Sequence, residues 1–372
     1  MKRILQVFGE PLSSGGQEAF IMNMYRNIDR TKIQFDFFTP YYCDNIELKE
    51  EIEKLGGKIY IGNGDNDSKK KKKEYILKLK KFLKNHKYEI IHIHSGSTFA
   101  LAFGAKYAKK NGAKKVIVHS HCTGINNLKY RIIKKVSNGM FKKYATDYCA
   151  CSKSAAEWKY PKNIIKNKKY TVIRNGIELE KYRYNKNTRE KYRNQMNIKD
   201  KFVLCNVGRL TEEKNQIFLI ELFLKVKSKI NNAELFIIGE GKEKEKIIKM
   251  INQYDLQDSI KLLGARSDVN NLLQAADMFI FPSLYEGLGI AAVEAQAAGL
   301  KTLCSENIPD EAIVTDLFYQ IKLSDGIEKW IEVIVNNMKY ERKDTTNEIK
   351  SKGYDAKTSA KILEKIYKGV NK

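Results

Sequence analysis

Short apolar runs recur along this chain at intervals too regular for coincidence, and they constrain the fold more than any other feature. In the first half they are Ile4–Phe8, Phe35–Thr39, Lys58–Ile61, Ile90–His94, Val116–His121, Ala145–Cys151 and Thr171–Ile173. In the second half they are Phe202–Val207, Glu234–Ile238, Ile260–Leu263, Met278–Phe281, Thr302–Cys304 and Phe318–Ile321. Each has the length of a strand, and most are separated by helix-length stretches such as Tyr75–Asn85, where Ile76, Leu79, Phe82 and Leu83 share one face. Alternation of this kind predicts parallel sheets covered by helices on both faces. At 372 residues the chain exceeds what one core usually serves, so two domains are expected. The pattern pauses over the polar stretch Glu180–Asp200 and restarts at Phe202. This places a first Rossmann-like domain at residues 1–185 and a second at 186–355, with 356–372 as a C-terminal helix. Open parallel sheets bind ligands beyond the carboxyl ends of their strands, so two facing domains would form a cleft.

Composition narrows the function classes. A hydrophobic content of 42% excludes wholesale disorder. Lys+Arg number 68 against 44 Asp+Glu, a net charge of +24. That excess suits a polyanionic partner such as a nucleotide phosphate, anionic lipid or nucleic acid, or it is a surface of solvated lysines. The six cysteines are scattered without a CxxC pair, which fits a reducing cytosol, and a cytoplasmic location is expected. The opening MKRILQVFG reads as a first strand, and no stretch approaches the ~18 apolar residues of a membrane span.

Four segments could carry chemistry. Glu286-Gly287-Leu288-Gly289-Ile290 runs on to Glu294, from a predicted loop into a predicted helix. Glycines allow close approach of the backbone, free N–H groups at a helix start attract phosphate, and a carboxylate accepts hydrogen bonds from sugar or ribose hydroxyls. Arg209 and Lys214 flank a strand-to-helix turn and could neutralise a diphosphate, or they are two more surface cations. Ser13-Ser14-Gly15-Gly16-Gln17-Glu18 could present N–H groups to phosphate or serve a tight turn; it lacks the GxGxxG and Walker fingerprints. His119-Ser120-His121 ends a strand, where an active-site histidine should lie, and His92 and His94 sit similarly on the preceding strand. Four histidines could suggest zinc, but neither HExxH nor clustered cysteines support it, and satisfied core histidines are the commoner outcome. Asp65-Asn66-Asp67 is a DxD triplet in a polar loop, read as a solvated turn.

Together these segments resemble glycosyltransferase family 4. The resemblance rests on Gly15-Gly16-Gln17-Glu18, His119-Ser120-His121, Val172–Ile177, Asn206–Leu210 with Lys214-Asn215, Phe236–Gly241, and Glu286–Glu294 running on to Leu300. It implies a GT-B fold and retaining transfer from a nucleotide-diphosphate sugar, with a UDP-sugar expected, to a saccharide or lipid-linked saccharide in capsule, exopolysaccharide or envelope synthesis. By that resemblance Gly15, Gly16 and Gly239 lie near the donor, and the Gly16 backbone faces its diphosphate. Arg209 and Lys214 bind the phosphates, Glu294 holds the ribose, and Glu286, with the Gly289 and Ile290 backbone, lies near the sugar. His121 faces the sugar, with His119 as the alternative. Neither cofactor nor metal is implied. Lys301 departs from the family's usual proline, beyond the expected site. A sugar-nucleotide epimerase of the same fold and a basic nucleic-acid-binding protein are the rival readings, though no nucleic-acid module is recognisable. Lys69–Lys73, ahead of the Tyr75–Asn85 helix, could dock the first domain on anionic lipid or be a solvated loop.

Overall fold

The computed structural model describes residues 1–13, 15–65, 67, 70–122 and 128–369. The chain divides into two compact units, Met1–Gly176 with Gly353–Lys372 and Ile177–Lys352. In the first, β1 (Lys2–Phe8), β2 (Ile33–Thr39), β3 (Lys58–Ile61), β4 (Ile90–Ser95), β5 (Lys115–Ser120), β6 (Asp147–Ala150) and β7 (Thr171–Val172) form one sheet in the order β3-β2-β1-β4-β5-β6-β7. In the second, β8 (Phe202–Val207), β9 (Ala233–Ile238), β10 (Ile260–Gly264), β11 (Met278–Phe281), β12 (Lys301–Ser305) and β13 (Phe318–Ile321) pair in the order β10-β9-β8-β11-β12-β13. Every strand pairing in both sheets is parallel.

Each expected strand is present, and in the central strands the apolar runs report burial on both faces. All six residues of β4 are buried, His92, His94 and Ser95 among them. β5 stops at Ser120, one residue short of the expected end at His121. Its neighbour β6 ends at Ala150, opposite Ser120, so His121 has no ladder partner on that side.

The strand order reverses direction between β1 and β4 in the first sheet and between β8 and β11 in the second. Connections leave the two central strands toward opposite edges there, which opens a crevice at their carboxyl ends. In the first unit this point is tightly built: the Gly9 N–H donates to the His94 carbonyl at 2.9 Å, and a Cβ on Gly9 would lie 2.4 Å from Ser95 Oγ.

The second unit begins at Ile177, ahead of the expected boundary at 185. The polar stretch that suggested the boundary contains the helix Lys186–Gln195, held to the rest of the second unit by its arginines. Arg193 pairs with Asp277 at 3.1 Å and donates to the Ala275 carbonyl at 2.8 Å, while Arg189 donates to the Ala276 carbonyl at 2.6 Å. These cations satisfy carbonyls at the C-terminus of the helix Val269–Ala275, where positive charge is favoured. The stretch is polar because its work is capping.

The helix Ala356–Lys368 belongs to the first unit. Asp355 caps its start by accepting from the Lys357 and Thr358 N–H groups at 3.3 and 3.0 Å. Its buried face, including Ala360, Leu363 and Tyr367, joins the core formed by Phe20, Met24 and Phe35. On the other side of the sheet, the helix Lys71–Asn85 buries Tyr75, Leu79, Phe82 and Leu83. It starts earlier than expected, so Lys71–Lys73 are helical rather than loop; Lys69 lies outside the described residues.

Candidate functional site

The second unit gathers its candidate residues at the β8/β11 reversal. β8 ends in Val207, and the chain turns through Gly208, exposed Arg209 and a 3-10 turn at Glu212–Lys214. Asn215 then adopts the left-handed conformation (φ +57°), ends that turn and starts the helix Gln216–Lys229. Its side-chain N–H donates to the Pro282 carbonyl at 3.1 Å, tying the loop after β8 to the loop after β11. Across that tie Lys214 forms an ion pair with Glu286. Glu286 also accepts from Ser283 Oγ at 2.9 Å, and the Lys214 ammonium lies 5.0 Å from the centre of the Phe281 ring. Both side chains are largely buried, with 17% and 10% exposure, so the pair is held in low dielectric rather than in water.

Gly289, at φ +78°, is the N-cap of the helix Ile290–Ala297. The first N–H groups of that helix, Ile290 among them, have no acceptor within it. Glu294 lies one turn further along, half-buried, and accepts from the Tyr182 hydroxyl at 2.8 Å. Burial raises its pKa to about 7, opposed by the Tyr182 hydrogen bond. Gly239 has a role internal to the fold. At φ +142°, a Cβ there would lie 2.0 Å from the Gly208 carbonyl oxygen, so glycine is needed for the β8 and β9 loops to pass each other.

In the first unit, exposed Gly15 caps the helix Gly16–Asn27. A Cβ on Gly16 would meet nothing within 4 Å, so packing does not require glycine there. Ser14, between Ser13 and these glycines, lies outside the described residues. The four histidines meet at the carboxyl ends of β4 and β5. His92, His94 and His119 are fully buried and His121 half-buried. His94 Nδ1 lies 2.9 Å from His121 Nε2, and His94 Nε2 lies 2.8 Å from Gln6 Oε1. His92 Nδ1 lies 2.7 Å from the Tyr367 hydroxyl and its Nε2 3.3 Å from His119 Nδ1. Ligand atoms of His92, His94 and His119 lie within 4.8 Å of one another, a spacing that a metal could exploit. Yet both nitrogens of His92 and of His94 already have hydrogen-bond partners, which leaves metal binding in competition with them. Asp65 accepts from the Asp67 N–H at 2.8 Å and pairs with Lys70 at 3.2 Å, the geometry of a solvated turn; Asn66 lies outside the described residues.

The comparisons with known proteins decide the family. The model described as glycosyltransferase family 4 matches residues 14–181, and that of glycosyl transferases group 1 matches residues 188–339. The chain is a family 4 glycosyltransferase. It is 29% identical to the putative glycosyltransferase EpsF of Bacillus subtilis (strain 168), over 98% of this chain and 96% of that one. It is also 29% identical to the UDP-Gal:alpha-D-GlcNAc-diphosphoundecaprenol alpha-1,3-galactosyltransferase of Escherichia coli, over 80% of this chain and 73% of that one. Among solved structures, Anabaena HepE in complex with UDP superposes with a TM-score of 0.74 at 18% identity, covering 99% of this chain and 100% of that one. The glycosyltransferase has the GT-B fold.

Sequence reasoning missed Gln6, which reaches His94, and three further residues at these sites. Tyr182 reaches Glu294, Ser283 reaches Glu286, and Tyr367 reaches His92. Ser283 lies three residues before Glu286 and could have been suspected; the other two pairings span 112 and 275 residues, which no local pattern reveals.

The histidine cluster makes the glycosyltransferase acid-sensitive. Burial pushes the pKa of His92, His94 and His119 well below the usual imidazole value and that of His121 down to about 3. Their contribution to stability is intact above pH 6.5 and falls below it, because the unfolded chain takes up protons that the folded cluster refuses. The loss is about 1.4 kcal/mol per histidine per pH unit. Glu10 and Glu18 are raised by burial and pull the other way, two against four. Thermal melts between pH 7.5 and 5.5 should therefore show the first unit losing stability as pH falls. In the second unit Glu294, raised to about 7, gains stability in the same range. A first unit whose melting is flat over this interval would mean the cluster is charged or solvated.

Proposed function

We propose that this glycosyltransferase moves a sugar, with retention, from a UDP-sugar to a lipid-linked saccharide in the assembly of an exopolysaccharide, capsule or envelope glycan. The observation that carries the donor half of this reading is the Lys214–Glu286 pair at the β8/β11 reversal, beside Arg209 and the helix start at Gly289-Ile290. A diphosphate arriving there offers Lys214 a doubly charged competitor to Glu286. The ammonium and the Arg209 guanidinium then stabilise the charge that develops on the departing nucleotide. Glu286, released, accepts from hydroxyls of the sugar, and Glu294 accepts from the ribose. In the first unit the Gly16 backbone and His121 take the diphosphate and sugar roles that the family resemblance gives them. Because cationic side chains neutralise the leaving group, no divalent metal is required.

The acceptor half is supported by relatives. The E. coli relative acts on a diphosphoundecaprenol-linked sugar, and a Staphylococcus aureus relative is a capsular polysaccharide biosynthesis glycosyltransferase. No helix among the described residues is long and apolar enough to cross a membrane. Reaching a lipid-linked acceptor therefore calls for surface docking. The helix Lys71–Asn85 spends its apolar face on the core. The helix Leu128–Tyr144 instead exposes Ile132 (60%) and Val136 (54%) on the side that also carries exposed Lys135, Lys142 and Lys143. Apolar insertion with flanking lysines is the pattern that holds a helix at an anionic interface, at roughly 1 kcal/mol per lysine.

Calorimetry with UDP tests the donor site. Arg209→Ala and Lys214→Ala should each weaken UDP binding and turnover together. Glu294→Ala should cost about 1.5–3 kcal/mol, roughly 10- to 150-fold in affinity. Because Glu294 titrates at about 7 and the ribose hydroxyls prefer the carboxylate, UDP binding should release a proton and weaken below pH 7. Wild-type UDP affinity in all three folded variants would remove the donor from this site.

Transfer should persist undiminished in EDTA. Loss of activity restored by magnesium or manganese would show that a metal shares the neutralising role of Arg209 and Lys214.

Sedimentation with phosphatidylglycerol vesicles at low salt tests docking. Ile132→Ser with Val136→Ser should release the protein, whereas Lys71→Ser with Lys72→Ser should change little. A wild-type protein that stays in the supernatant would favour a soluble acceptor.

A further inference from the structure

The histidine cluster has a property that the glycosyltransferase reaction does not by itself require: its hydrogen bonds form one continuous chain with a single direction. The Gln6 amide sets that direction. With its oxygen assigned toward His94 Nε2, at 2.8 Å, and its nitrogen toward Tyr367, His94 Nε2 carries a proton. His94 Nδ1 is then a lone pair, and the contact at 2.9 Å is a donation from His121 Nε2–H. In the other direction the Gln6 amide N–H donates to the Tyr367 oxygen at 3.1 Å. The Tyr367 hydroxyl donates in turn to His92 Nδ1 at 2.7 Å, and His92 Nε2–H donates to His119 Nδ1 at 3.3 Å. Each internal member gives one hydrogen bond and receives one. Reversing any link would put two donors or two acceptors face to face, so the links reverse together or not at all. Among the described residues the two ends are bare: His119 Nε2 and His121 Nδ1 are buried without a partner.

We propose that Tyr367 and Gln6 are positioning residues that hold His121 in its Nε2–H tautomer, so that Nδ1 is an unfilled acceptor for a sugar hydroxyl. The chemical role of His121 rests on the proposed transfer reaction; the tautomer does not. A neutral ring offering a lone pair is completed by a group that donates, such as the hydroxyl of a neutral hexose. A carboxylate at the same place would bring acceptor against acceptor. The specificity inferred is therefore for neutral hexoses over hexuronic acids. The helix Ala356–Lys368 matters because it carries Tyr367 to a fully buried position against the sheet.

Long-range proton–nitrogen spectra of the imidazoles test the chain without any substrate. In the wild type His121 should show a protonated Nε2 and a bare Nδ1, with His94 and His92 in the same Nε2–H form. Tyr367→Phe removes the central hydroxyl while keeping the ring, and Gln6→Leu removes the element that sets direction. Either should move His94 and His121 to averaged tautomer shifts. Turnover should fall about two- to fivefold, as one biased hydrogen bond becomes an even mixture. UDP affinity should be unchanged. A wild-type His121 protonated at Nδ1 would overturn the proposal, as would shifts that ignore both substitutions. So would stoichiometric zinc retained through purification, because a metal needs the lone pairs that the chain commits. His121→Ala separates the two claims: if it leaves turnover intact, the role of His121 in the reaction fails, while the spectra still decide the tautomer.

Discussion

The reversal of strand order beside β1 and β8 is the constraint on which the rest of the molecule depends. In a parallel sheet every crossover must return to the same end, and where neighbouring crossovers diverge nothing fills the space above the central strands. Gly9 and Ser95 border this space in the first unit; Gly208, Arg209 and Pro282 border it in the second. Loops that begin there can be short and still converge. Asn215 donating to Pro282 is such a convergence, and without it Lys214 and Glu286, 72 residues apart, would have no reason to meet.

Much of this was legible beforehand, and the reason is burial. Strands covered on both faces cannot hide: β8 and β11 begin and end where their apolar runs do, and Lys58–Ile61 and β13 do the same at the sheet edges. The positions of Arg209, Glu286 and Glu294 were legible too, because the first two sit a few residues beyond a strand and the third lies one turn into the helix that follows. What escaped was pairing across long separation and polar sequence with a structural purpose. Glu180–Asp200 looked like a pause between domains because its residues are polar and charged. Arg189 and Arg193 are charged so that they can cap carbonyls at the end of another helix, a need that is visible only once that helix has a neighbour. Gly239 shows the converse. Beside the donor role that the family resemblance implies for it, its glycine answers a packing need, because the carbonyl of Gly208 occupies the space a side chain would take.

Titration behaviour follows the same division. The first unit excludes charge from the histidine cluster by burying it beneath Phe8 and Phe20, whose rings lie about 5 Å from those of His94, His119 and His121. The second unit admits charge at its crevice and balances it in a pair. One region is arranged to stay neutral and the other to exchange one ionic partner for another.

The return of residues 353–369 to the first unit has a consequence for biosynthesis. The second unit, Ile177–Lys352, is one uninterrupted segment, whereas the first is split around it. On the ribosome the second unit can therefore complete its core before the first can. Until the helix Ala356–Lys368 emerges, the earlier-made sheet has its strands but not the cover that Leu363 and Tyr367 supply, and His92 lacks its Tyr367 partner. The nascent chain thus carries a half-roofed sheet while its downstream neighbour folds. That interval is when a chaperone would find something to hold.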